Sequence, residues 1–490
     1  MWLIINEFLL PRKVSLNING TKGNYRDSCE VGLPQGSALS PILFKIFLID
    51  FTSDLDNRPG ITKFKFADDG TIKTTEATTQ QCLLTMQDII NSVRKWTIQW
   101  RMVINCNPNK TEIVCFNTAE NNRSIIPNKL AMGENEIKVV TQTKVLGLTM
   151  DEKSTYKPHS NLVLRKLNMK WADISQYCNR HTGFNQRVMT NLIRTLIISC
   201  MFYAGHIWMN SGNMTEINKF WYKIIKSTTG AVFNVSRSNA EMIIGLPPLH
   251  IQNKINRIKH YLKLCMNKTP GDRLIEYLSL VDLELPTEIK SSVREVFKFL
   301  KWKKSKYPVY FNQEDEQIID HRKTADFFLI SSKASSYNRN IINNYTELLW
   351  GEAIRNEYHE KGESVIPIPS CKPLVFPHQT PRQTEVNIMS LMYKNNLLDA
   401  FLYERNLTNS DTCPSCGNGV HTAYHILFNC SAVSEDKRER AYTYLEESIG
   451  HEQADIESPT SILMGSRNHQ FIVACKDIVK SIDMRSEIEL

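Results

Sequence analysis

The sequence lacks the cysteine density, the long apolar runs and the internal repeats that define several classes of protein. Twelve cysteines in 490 residues are too sparse for a disulfide scaffold, and most of them stand singly, as reduced thiols do. The longest apolar stretch, 195–209, contains His206 and is too short to span a bilayer. The apolar N-terminus MWLIINEFLL has no basic region and no small-residue cleavage site, so it does not indicate a signal peptide. We therefore expect an intracellular protein of the cytoplasm, the nucleus or both, with no membrane partner.

The composition is that of an ordinary folded protein. Hydrophobic residues make up 42% of the chain and charged residues 22%, which excludes collagen-like, low-complexity and wholly disordered proteins. At ordinary domain sizes, a chain of this length predicts roughly three domains, each with its own core. Lysine and arginine number 59 against 51 acidic residues, a net charge of +8. This mild excess suits a polyanionic partner without requiring one.

The pattern of the sequence changes along the chain. Short strand patterns mix with helical spacing in the first part, which is typical of an α+β domain, and helical spacing then dominates. The Pro-rich stretch IPIPSCKPLVFPHQTP cannot continue a helix and predicts an extended linker. We predict an α+β domain at 1–158, helical segments at 159–250 and 251–365, the linker at 366–381, a helix with a Cys/His cluster at 382–435 and a charged helical tail at 436–490.

The first motif is the stretch EVGLPQGSALSPILFKIFLID, in which a loop bounded by Gly and Pro runs into an apolar helix. Ser40 is a good N-cap, and Pro41 fits the first helical position because no backbone N–H is required there. Residues 42–49 are apolar almost all round, which predicts a buried helix. The Pro-Gln-Gly loop before this helix lets backbone approach a flat substrate closely, although such a loop alone is more typical of a plain turn.

The second motif, ITKFKFADDGTIKTT, predicts a strand, a turn and a strand. Phe64 and Phe66 alternate with lysines, and the pair Asp69-Gly70 is a hairpin signal. We expect Asp68 and Asp69 at the tip, where paired carboxylates can hold Mg²⁺ with phosphate oxygens completing the coordination. A solvated turn is the alternative, because tight turns use Asp and Gly in any case.

The third motif is a compact set of metal-ligand types near the C-terminus. Cys413 and Cys416 form a C-x2-C pair, and His425 and Cys430 follow with four residues between them. Three thiolates and one imidazole meet the requirements of tetrahedral Zn²⁺, and a closed set of four ligands predicts a structural site rather than a catalytic one. His421 is the rival to His425, because it lies four residues earlier. A redox role for the C-x2-C pair leaves the histidine and the last cysteine unexplained.

The first two motifs together resemble a known family. GLPQGSALSPILF at 32–44 and FADD at 66–69 are similar to motifs B and C of the reverse transcriptase palm. The likeness is to the enzymes of non-LTR retrotransposons, the LINE or jockey-like elements, rather than to the retroviral enzymes. The resemblance implies that Pro34, Gln35 and Gly36 flank the incoming nucleotide and the template. It also implies that Asp68 binds catalytic Mg²⁺ and that Asp69 supports this metal site.

The resemblance continues downstream. The segment around Lys110 is similar to motif D, which implies that Lys110 is a general acid near the leaving pyrophosphate. The stretch KVLG, with Leu146 and Gly147, is similar to the motif E primer grip, whose hairpin presses its backbone against the primer end. Taken from the residues alone, a solvated lysine and an ordinary β-turn are the alternatives.

Residues 192–249 resemble the thumb that follows the palm in these elements. From the residues alone, the helical spacing of aromatic and basic residues in this segment has two interpretations. They form either a thumb face that contacts duplex phosphates or a set of core aromatics beside solvent-exposed lysines. The family's C-terminal Cys/His motif favours His425 over His421 as the metal ligand. The aromatic and basic residues at helical spacing in the thumb-like segment are Trp208, Trp221, Tyr222, Lys219, Lys223 and Lys226.

As a whole, the resemblance implies an α+β fold with a partial right-hand polymerase palm, a helical thumb and connection, and a small C-terminal zinc knuckle. It implies an RNA-directed DNA polymerase that extends a DNA primer or target on an RNA template with deoxynucleoside triphosphates, using catalytic Mg²⁺ and structural Zn²⁺. No residue matches the family's motif A aspartate, so we expect a 5′-truncated fragment that is inactive alone. The alternatives are a non-catalytic nucleic-acid-binding remnant and a zinc-stabilised interaction module.

Overall fold

The structure, a computed structural model, divides the chain into two compact units, Met1–His159 and Ser160–Leu490. Most of the predicted helical connection lies outside the described residues, as do the first two residues of the loop–helix motif, the first residue of the predicted linker and parts of the predicted tail. The described residues are 2–10, 13–27, 32–56, 58–116, 120–266, 334–360, 367–393, 396–449 and 459–482.

The first unit mixes helices with small, mostly antiparallel sheets, as the α+β pattern predicts. Consecutive strands form tight hairpins, and one three-stranded sheet contains the unit's parallel pair, Glu112–Ile113 beside Asn135–Val139. Its elements are α1 (Trp2–Leu9), β1 (Lys13–Val14), β2 (Asn17–Ile18), β3 (Thr21–Lys22), β4 (Arg26–Asp27), α2 (Ser40–Phe47), β5 (Ile61–Phe66), β6 (Asp69–Thr74), α3 (Thr79–Gln99), β7 (Glu112–Ile113), β8 (Lys129–Met132), β9 (Asn135–Val139), β10 (Gln142–Val145), β11 (Leu148–Asp151) and the start of α4 (Lys157–Ser175).

Helix α3 supplies much of the core of this unit. Its N-terminus is capped by Thr78, whose hydroxyl oxygen accepts the Gln81 main-chain N–H at 3.2 Å. Ile90, on the buried side of the helix, packs against Ile113 and Ile137 of the three-stranded sheet. These apolar contacts hold the sheet on one face of α3.

Helix α2 is not buried, contrary to the prediction from its apolar sequence. None of its residues is buried, and Ile42 and Ile46 are each 58% exposed. The opposite side of the helix is covered, because the Phe47 ring lies edge-on to Trp96 and Trp100 at centroid distances of 5.7 and 5.3 Å. The apolar sequence of α2 therefore forms a helix with one covered side, because that side faces the partner surface that the described part of the unit provides.

The second unit consists mainly of helices in its described residues. No helix there or elsewhere in the described part of the chain is long and apolar enough to cross a membrane. Two short π-helical turns, Ile193–Ile198 and His425–Asn429, interrupt the α-helical pattern. Its helices are the rest of α4, α5 (Gln186–Leu192), α6 (Ser199–Met201), α7 (Gly205–Trp208), α8 (Ser211–Thr229), α9 (Arg237–Ile244), α10 (Leu249–Met266), α11 (Ala334–Glu360), α12 (Arg382–Ser390), α13 (Asp399–Glu404), α14 (Glu435–Ile449), α15 (Pro459–Gly465) and α16 (His469–Val479).

Aromatic residues of the thumb-like segment form part of the core of this unit. Trp208 and Trp221 have no exposed surface, and the Tyr222 hydroxyl donates to the Val235 carbonyl oxygen at 2.8 Å. Lys219 is exposed and pairs with a glutamate on its own helix. Of the two alternatives for these residues, core aromatics beside a solvated rim is the one the packing supports.

The Pro-rich segment predicted as a linker is non-helical over 367–381 and packs against the helices. Leu374 is 3% exposed, and its main-chain N–H donates to the Ile243 carbonyl oxygen at 3.0 Å. Gly245, which ends α9 at φ +65°, approaches the segment so closely that a Cβ there would overlap the backbone of Lys372. The segment is thus an integral part of the helical unit.

Two arginines join this segment to the end of α9. The Arg194 guanidinium donates to the carbonyl oxygens of Gly245 and Cys371, at 3.0 and 2.8 Å. The Arg467 guanidinium donates to those of Met242 and Lys372, both at 2.9 Å. Each arginine therefore bridges two backbone segments that are more than a hundred residues apart in sequence. Charged donors make stronger hydrogen bonds than neutral ones, so these contacts are well suited to fixing the segment.

Candidate functional site

The loop before α2 is a turn built around Pro34. The Ser40 hydroxyl donates to the Pro34 carbonyl oxygen at 2.6 Å. The N-cap of α2 is Leu39, so Ser40 is the first helical residue and not the N-cap that the sequence predicts. Gly36 adopts φ +90°, and a Cβ there would meet nothing within 4 Å. Gln35 is exposed beside it. The three predicted substrate-binding residues thus lie in an open, glycine-containing turn that leaves room for a ligand against the backbone.

The two aspartates lie at the end of the hairpin of β5 and β6. Phe66 pairs with Asp69, so the two-residue turn consists of Ala67 and Asp68. Asp69-Gly70 is the start of β6 and not the turn that the sequence predicted. Ala67 adopts φ +52°, a conformation that costs energy for a residue with a side chain and that recurs at functional sites. Both carboxylates are exposed, which leaves their oxygens accessible to a metal ion.

Two lysines join the aspartate hairpin to the turn that follows α2. The Lys65 ammonium donates to the Leu48 carbonyl oxygen at 2.8 Å, and the Lys63 ammonium donates to that of Thr52 at 2.7 Å. Burial lowers the pKa of Lys65, with the charge of Lys63 adding to the effect. Lys63 also forms an ion pair with Asp56 at 2.5 Å. The first two sequence motifs are therefore physically connected, through lysines that the alternating pattern had not assigned.

Lys110 makes no direct contact with the two aspartates among the hydrogen bonds and ion pairs of the described residues. It lies in an exposed turn before β7, and its main-chain N–H donates to the Asn107 carbonyl oxygen at 3.1 Å. The general-acid role stays a prediction.

Leu146 and Gly147 form the two-residue turn of the β10–β11 hairpin. Both have positive φ, +47° and +88°, which is the conformation that two-residue hairpin turns favour. The hairpin is tied to the start of α4 by His159, whose Nδ1 accepts the Thr149 main-chain N–H at 3.2 Å. Asp151 makes a second connection, because its carboxylate accepts the main-chain N–H groups of Thr155 and Tyr156, just before α4. Burial raises the pKa of Asp151, but these hydrogen bonds outweigh burial and lower the pKa overall. The tip is therefore exposed on a well-anchored hairpin.

The structure brings the four predicted metal ligands together. The ligand atoms of Cys413, Cys416, His425 and Cys430 all lie within 4.8 Å of one another. The sulfurs of Cys413 and Cys430 are 3.9 Å apart, and Cys416 Sγ is 3.3 Å from His425 Nε2. Cys413 and Cys430 are buried, and the other two are partly buried. Three thiols and one imidazole at this spacing match the donor set of a four-coordinate structural metal site.

Two glycines shape the loop that carries the first two cysteines. The Cys413 main-chain N–H donates to the Gly419 carbonyl oxygen at 3.0 Å, and the Gly417 N–H donates back to the Cys413 carbonyl oxygen at 2.9 Å. Gly417 and Gly419 have φ of +67° and +75°, and a Cβ at Gly419 would lie 2.8 Å from the His425 ring. The ligand loop is thus closed by local hydrogen bonds, and only glycine fits against the histidine ligand.

The protonation of the ligands follows from their surroundings. Burial lowers the pKa of His425, which favours the neutral imidazole that binds metals. Burial raises the pKa of the Cys430 thiol to about 11, so its ionisation depends on a nearby positive charge. A divalent cation supplies that charge, because it binds thiolates and releases their protons.

His421 lies outside this cluster. It has no exposed surface, and its Nδ1 is 2.8 Å from the Asp399 carboxylate oxygen Oδ2. The His421 main-chain N–H also donates to the Asp411 carbonyl oxygen at 2.7 Å. Its contacts therefore join the metal loop to the N-terminus of α13.

A buried carboxyl group in the helical unit escaped the sequence analysis. Glu241 is 1% exposed, accepts the Trp221 indole N–H at 2.9 Å and pairs with Arg237, also at 2.9 Å. Burial raises its pKa to about 7, against the opposing effect of Arg237. The i, i+4 spacing of Arg237 and Glu241 was the signal in the sequence, but such pairs are common on exposed helices.

Comparison with known proteins identifies the first unit. Residues 2–150 match the family described as reverse transcriptase (RNA-dependent DNA polymerase). These residues therefore form a reverse transcriptase domain, and they contain the glycine loop, the aspartate hairpin and the β10–β11 hairpin. The rest of the chain lies outside this match.

The chain is also similar to polymerases of mobile elements. The chain is 20% identical over 306 residues, 60% of its length and 32% of the relative's, to the RNA-directed DNA polymerase from mobile element jockey of Drosophila melanogaster. It is 18% identical over 259 residues, 51% of its length and 27% of the relative's, to the jockey polymerase of Drosophila funebris. It is 24% identical over 211 residues, 42% of its length and 22% of the relative's, to the probable RNA-directed DNA polymerase from transposon BS of Drosophila melanogaster. All three relatives are RNA-directed DNA polymerases of mobile elements, and the chain spans at most about a third of their length.

Proposed function

We propose that this chain is a palm, thumb and zinc-knuckle portion of an RNA-directed DNA polymerase that copies an RNA template onto a DNA primer or target. In this proposal Asp68 holds catalytic Mg²⁺, Asp69 supports it, and Pro34, Gln35 and Gly36 lie against the template and the incoming deoxynucleoside triphosphate. The observation that carries the proposal is the exposed aspartate turn, joined by Lys63 and Lys65 to the turn that follows α2. Mg²⁺ there polarises phosphate oxygens and offsets the charge of the transition state.

The remaining residues of the polymerase domain have supporting roles in this proposal. Lys110 donates a proton to, or neutralises, the leaving pyrophosphate, and the backbone at Leu146 and Gly147 contacts the primer end. Because the 490 residues include no counterpart of the motif A aspartate, one carboxylate of the two-metal site has no donor in this chain. We therefore propose that the 490-residue chain binds template and primer but does not extend the primer by itself.

Binding and extension assays with an RNA–DNA primer–template test this proposal. We expect the purified chain to bind the hybrid with an affinity that falls steeply as salt rises, because phosphate contacts release counterions. No binding, or binding indifferent to salt, would contradict a nucleic-acid role of any kind and would leave the zinc-stabilised interaction module. Mg²⁺-dependent extension that Asp68→Asn abolishes would contradict the inactivity of the isolated chain and would show that another group replaces the missing carboxylate. A matched control is Asp88→Asn, an exposed carboxylate on α3 away from the hairpin turn.

We further propose that the metal held by the Cys/His cluster is Zn²⁺. Cys413, Cys416, His425 and Cys430 fit it by donor type and by mutual distance. A bound Zn²⁺ supplies no open coordination position when all four protein ligands are engaged, so its role in this proposal is to hold the loop on the π-turn that begins at His425.

A further inference from the structure

A stacked pair of aromatic rings is exposed on the helical unit, outside the reverse transcriptase domain. The rings of Tyr177 and Phe184 lie parallel, with an interplanar angle of 4° and centroids 4.6 Å apart. Each of the two residues is 42% exposed. Single exposed aromatics are common on protein surfaces, but a preassembled parallel stack offers a further flat face to a planar ligand.

The loop that presents the two rings is held by its own hydrogen bonds. The Phe184 main-chain N–H donates to the Tyr177 carbonyl oxygen at 2.9 Å, which closes the loop beneath the stack. The Asn179 side-chain oxygen accepts the main-chain N–H groups of His181 and Thr182, at 2.8 and 3.1 Å. A Cβ at Gly183 would overlap the Asn179 carbonyl oxygen, so the loop requires glycine there. A ligand that stacks on this loop therefore loses little affinity to ordering the protein.

An open cleft of about 400 Å³, lined by polar and apolar residues, lies beside the stack. Gln176, Asn179 and Arg180 contribute to its lining, together with Ser227 of α8 and the residues 230–232 that follow this helix. The cleft lies where α4 and α8 end, and the last carbonyl groups of a helix are acceptors with partial negative charge. Hydrogen bonds within the protein, from Ser175, Gln176 and Gly230 among others, already occupy many of these carbonyl oxygens, so the cleft offers room for the edge of a base rather than a fixed set of acceptors.

The segment that contains this cleft has a large excess of basic residues. Residues 160–240 contain ten lysines and arginines against two acidic residues, a net charge of +8 that equals the net charge of all 490 residues. Arg187 is exposed at the second residue of α5, three residues after Phe184. Positive charge beside an aromatic face is the combination that binds single-stranded nucleic acid, because phosphates meet the cations while unstacked bases meet the rings.

We propose that the loop 177–184 is a docking site for an unpaired base of single-stranded RNA or DNA. The base stacks on the Tyr177–Phe184 pair, its edge enters the cleft at Asn179, and its flanking phosphates lie near Arg180 and Arg187. A duplex cannot use this site, because its bases are already stacked on one another. The inference takes from the proposed function only that the partner is a nucleic acid, and it does not depend on Asp68 or on polymerisation.

Fluorescence anisotropy of the full 490-residue protein with a labelled single-stranded RNA of mixed sequence tests the site. We expect Tyr177→Leu with Phe184→Leu to weaken single-strand binding by about tenfold or more, while binding of an RNA–DNA hybrid duplex changes little. Tyr203→Leu is the matched control, since this tyrosine is 55% exposed in the same basic segment but outside the loop. Asp68→Asn is expected to keep single-strand binding, which separates failure of this site from failure of the polymerase proposal.

Two further measurements keep the inference open to contradiction if the double variant folds poorly. Arg187→Gln should lower the slope of log affinity against log salt by about one for single strands. An adenine analogue whose fluorescence is quenched by stacking should report quenching on binding to the wild type and less of it in Tyr177→Leu. Unchanged single-strand affinity in the folded ring variants, an equal loss with Tyr203→Leu, or an equal loss for the duplex would overturn the site. Any of these results would leave the stack as a contact for an apolar protein surface instead.

Discussion

His421 Nδ1 lies 2.8 Å from Asp399 Oδ2, and both side chains are almost completely buried. This contact distinguishes the two histidines that residue spacing alone offers as metal ligands, because His425 contacts the cysteines while His421 contacts a carboxylate on α13. The metal loop therefore has two attachments, one through the ligand set and one through this buried pair. Their effects on metal content and on stability are expected to differ.

We expect substitutions of the two histidines to differ in their effects on zinc content and on stability. His425→Asn should lose tight Zn²⁺ binding, because it removes one of four ligands. His421→Asn should keep one Zn²⁺ per chain but reduce stability by roughly 1–3 kcal/mol, because it removes the contact between the imidazole and the buried Asp399 carboxylate. Zinc analysis after dialysis against a weak chelator, combined with thermal melting, checks both. Loss of zinc in His421→Asn with retention in His425→Asn would reverse the ligand assignment.

Gly245 predicts a large backbone effect. Gly245→Ala should destabilise the helical unit by roughly 2 kcal/mol or more, because the residue has φ +65° and a Cβ would overlap the Lys372 backbone. Gly417→Ala is the control for the dihedral angle alone, since Gly417 has φ +67° and open space around it. We expect the control to cost about 1 kcal/mol. Equal melting temperatures for the two variants would show that the close approach does not contribute.

The buried Glu241 predicts a pH dependence of stability. Its pKa is raised from 4.5 to about 7, so the folded protein keeps a proton that the unfolded chain releases between these values. Unfolding is therefore favoured as pH rises through this range, and the loss relative to Glu241→Gln reaches up to about 3 kcal/mol. Arg237 favours the ionised carboxylate, Glu357 opposes it, and Trp221 Nε1 donates to it.

Thermal melting of wild type and Glu241→Gln at pH 5 and pH 8 checks this dependence. The difference in melting temperature, wild type minus variant, should decrease from the lower pH to the higher one. A difference that stays constant or increases would mean that Arg237 keeps the carboxylate ionised in the folded protein at both values.

The exposed side of α2 predicts self-association. Ile42→Asn with Ile46→Asn should leave the free energy of unfolding within about 1 kcal/mol of wild type, because both residues are mainly exposed. The same change should reduce self-association, since it removes an apolar stripe from the surface. Size-exclusion chromatography with light scattering measures this effect. Ile90→Asn, in the core and 4% exposed, is the contrasting variant that should unfold the domain. Undiminished association of the double variant would contradict a role of the stripe.

Local sequence patterns were enough to predict much of the secondary structure around the candidate site. The strand, turn and strand around Asp68 follow from alternation over a dozen residues, and the structure pairs all six positions of each strand. The error was small but informative: the turn uses Ala67 and Asp68 although Asp69-Gly70 has the better turn residues. Strand register decided this, because pairing Phe66 with Asp69 leaves two residues for the connection.

The Cys/His cluster is a second case in which local order was enough to bring predicted residues together. Cys413 and Cys430 are separated by 17 residues, and hydrogen bonds within that stretch close the loop around them. What residue spacing alone left open was which histidine takes part. That choice depends on Asp399, which lies 22 residues before His421, at the start of α13.

Sequence by itself determined the class of the protein and the identities of its candidate site residues, because motifs B and C and the Cys/His set are short and their residues are read directly. Only the tertiary structure decided that one side of α2 is open, that Arg194 and Arg467 fasten the Pro-rich segment, and that Tyr177 and Phe184 form a stack beside a cleft. The physical reason is that a local pattern specifies which faces and groups need partners, whereas the choice of partner depends on segments far away in the chain that reach the same place only on folding.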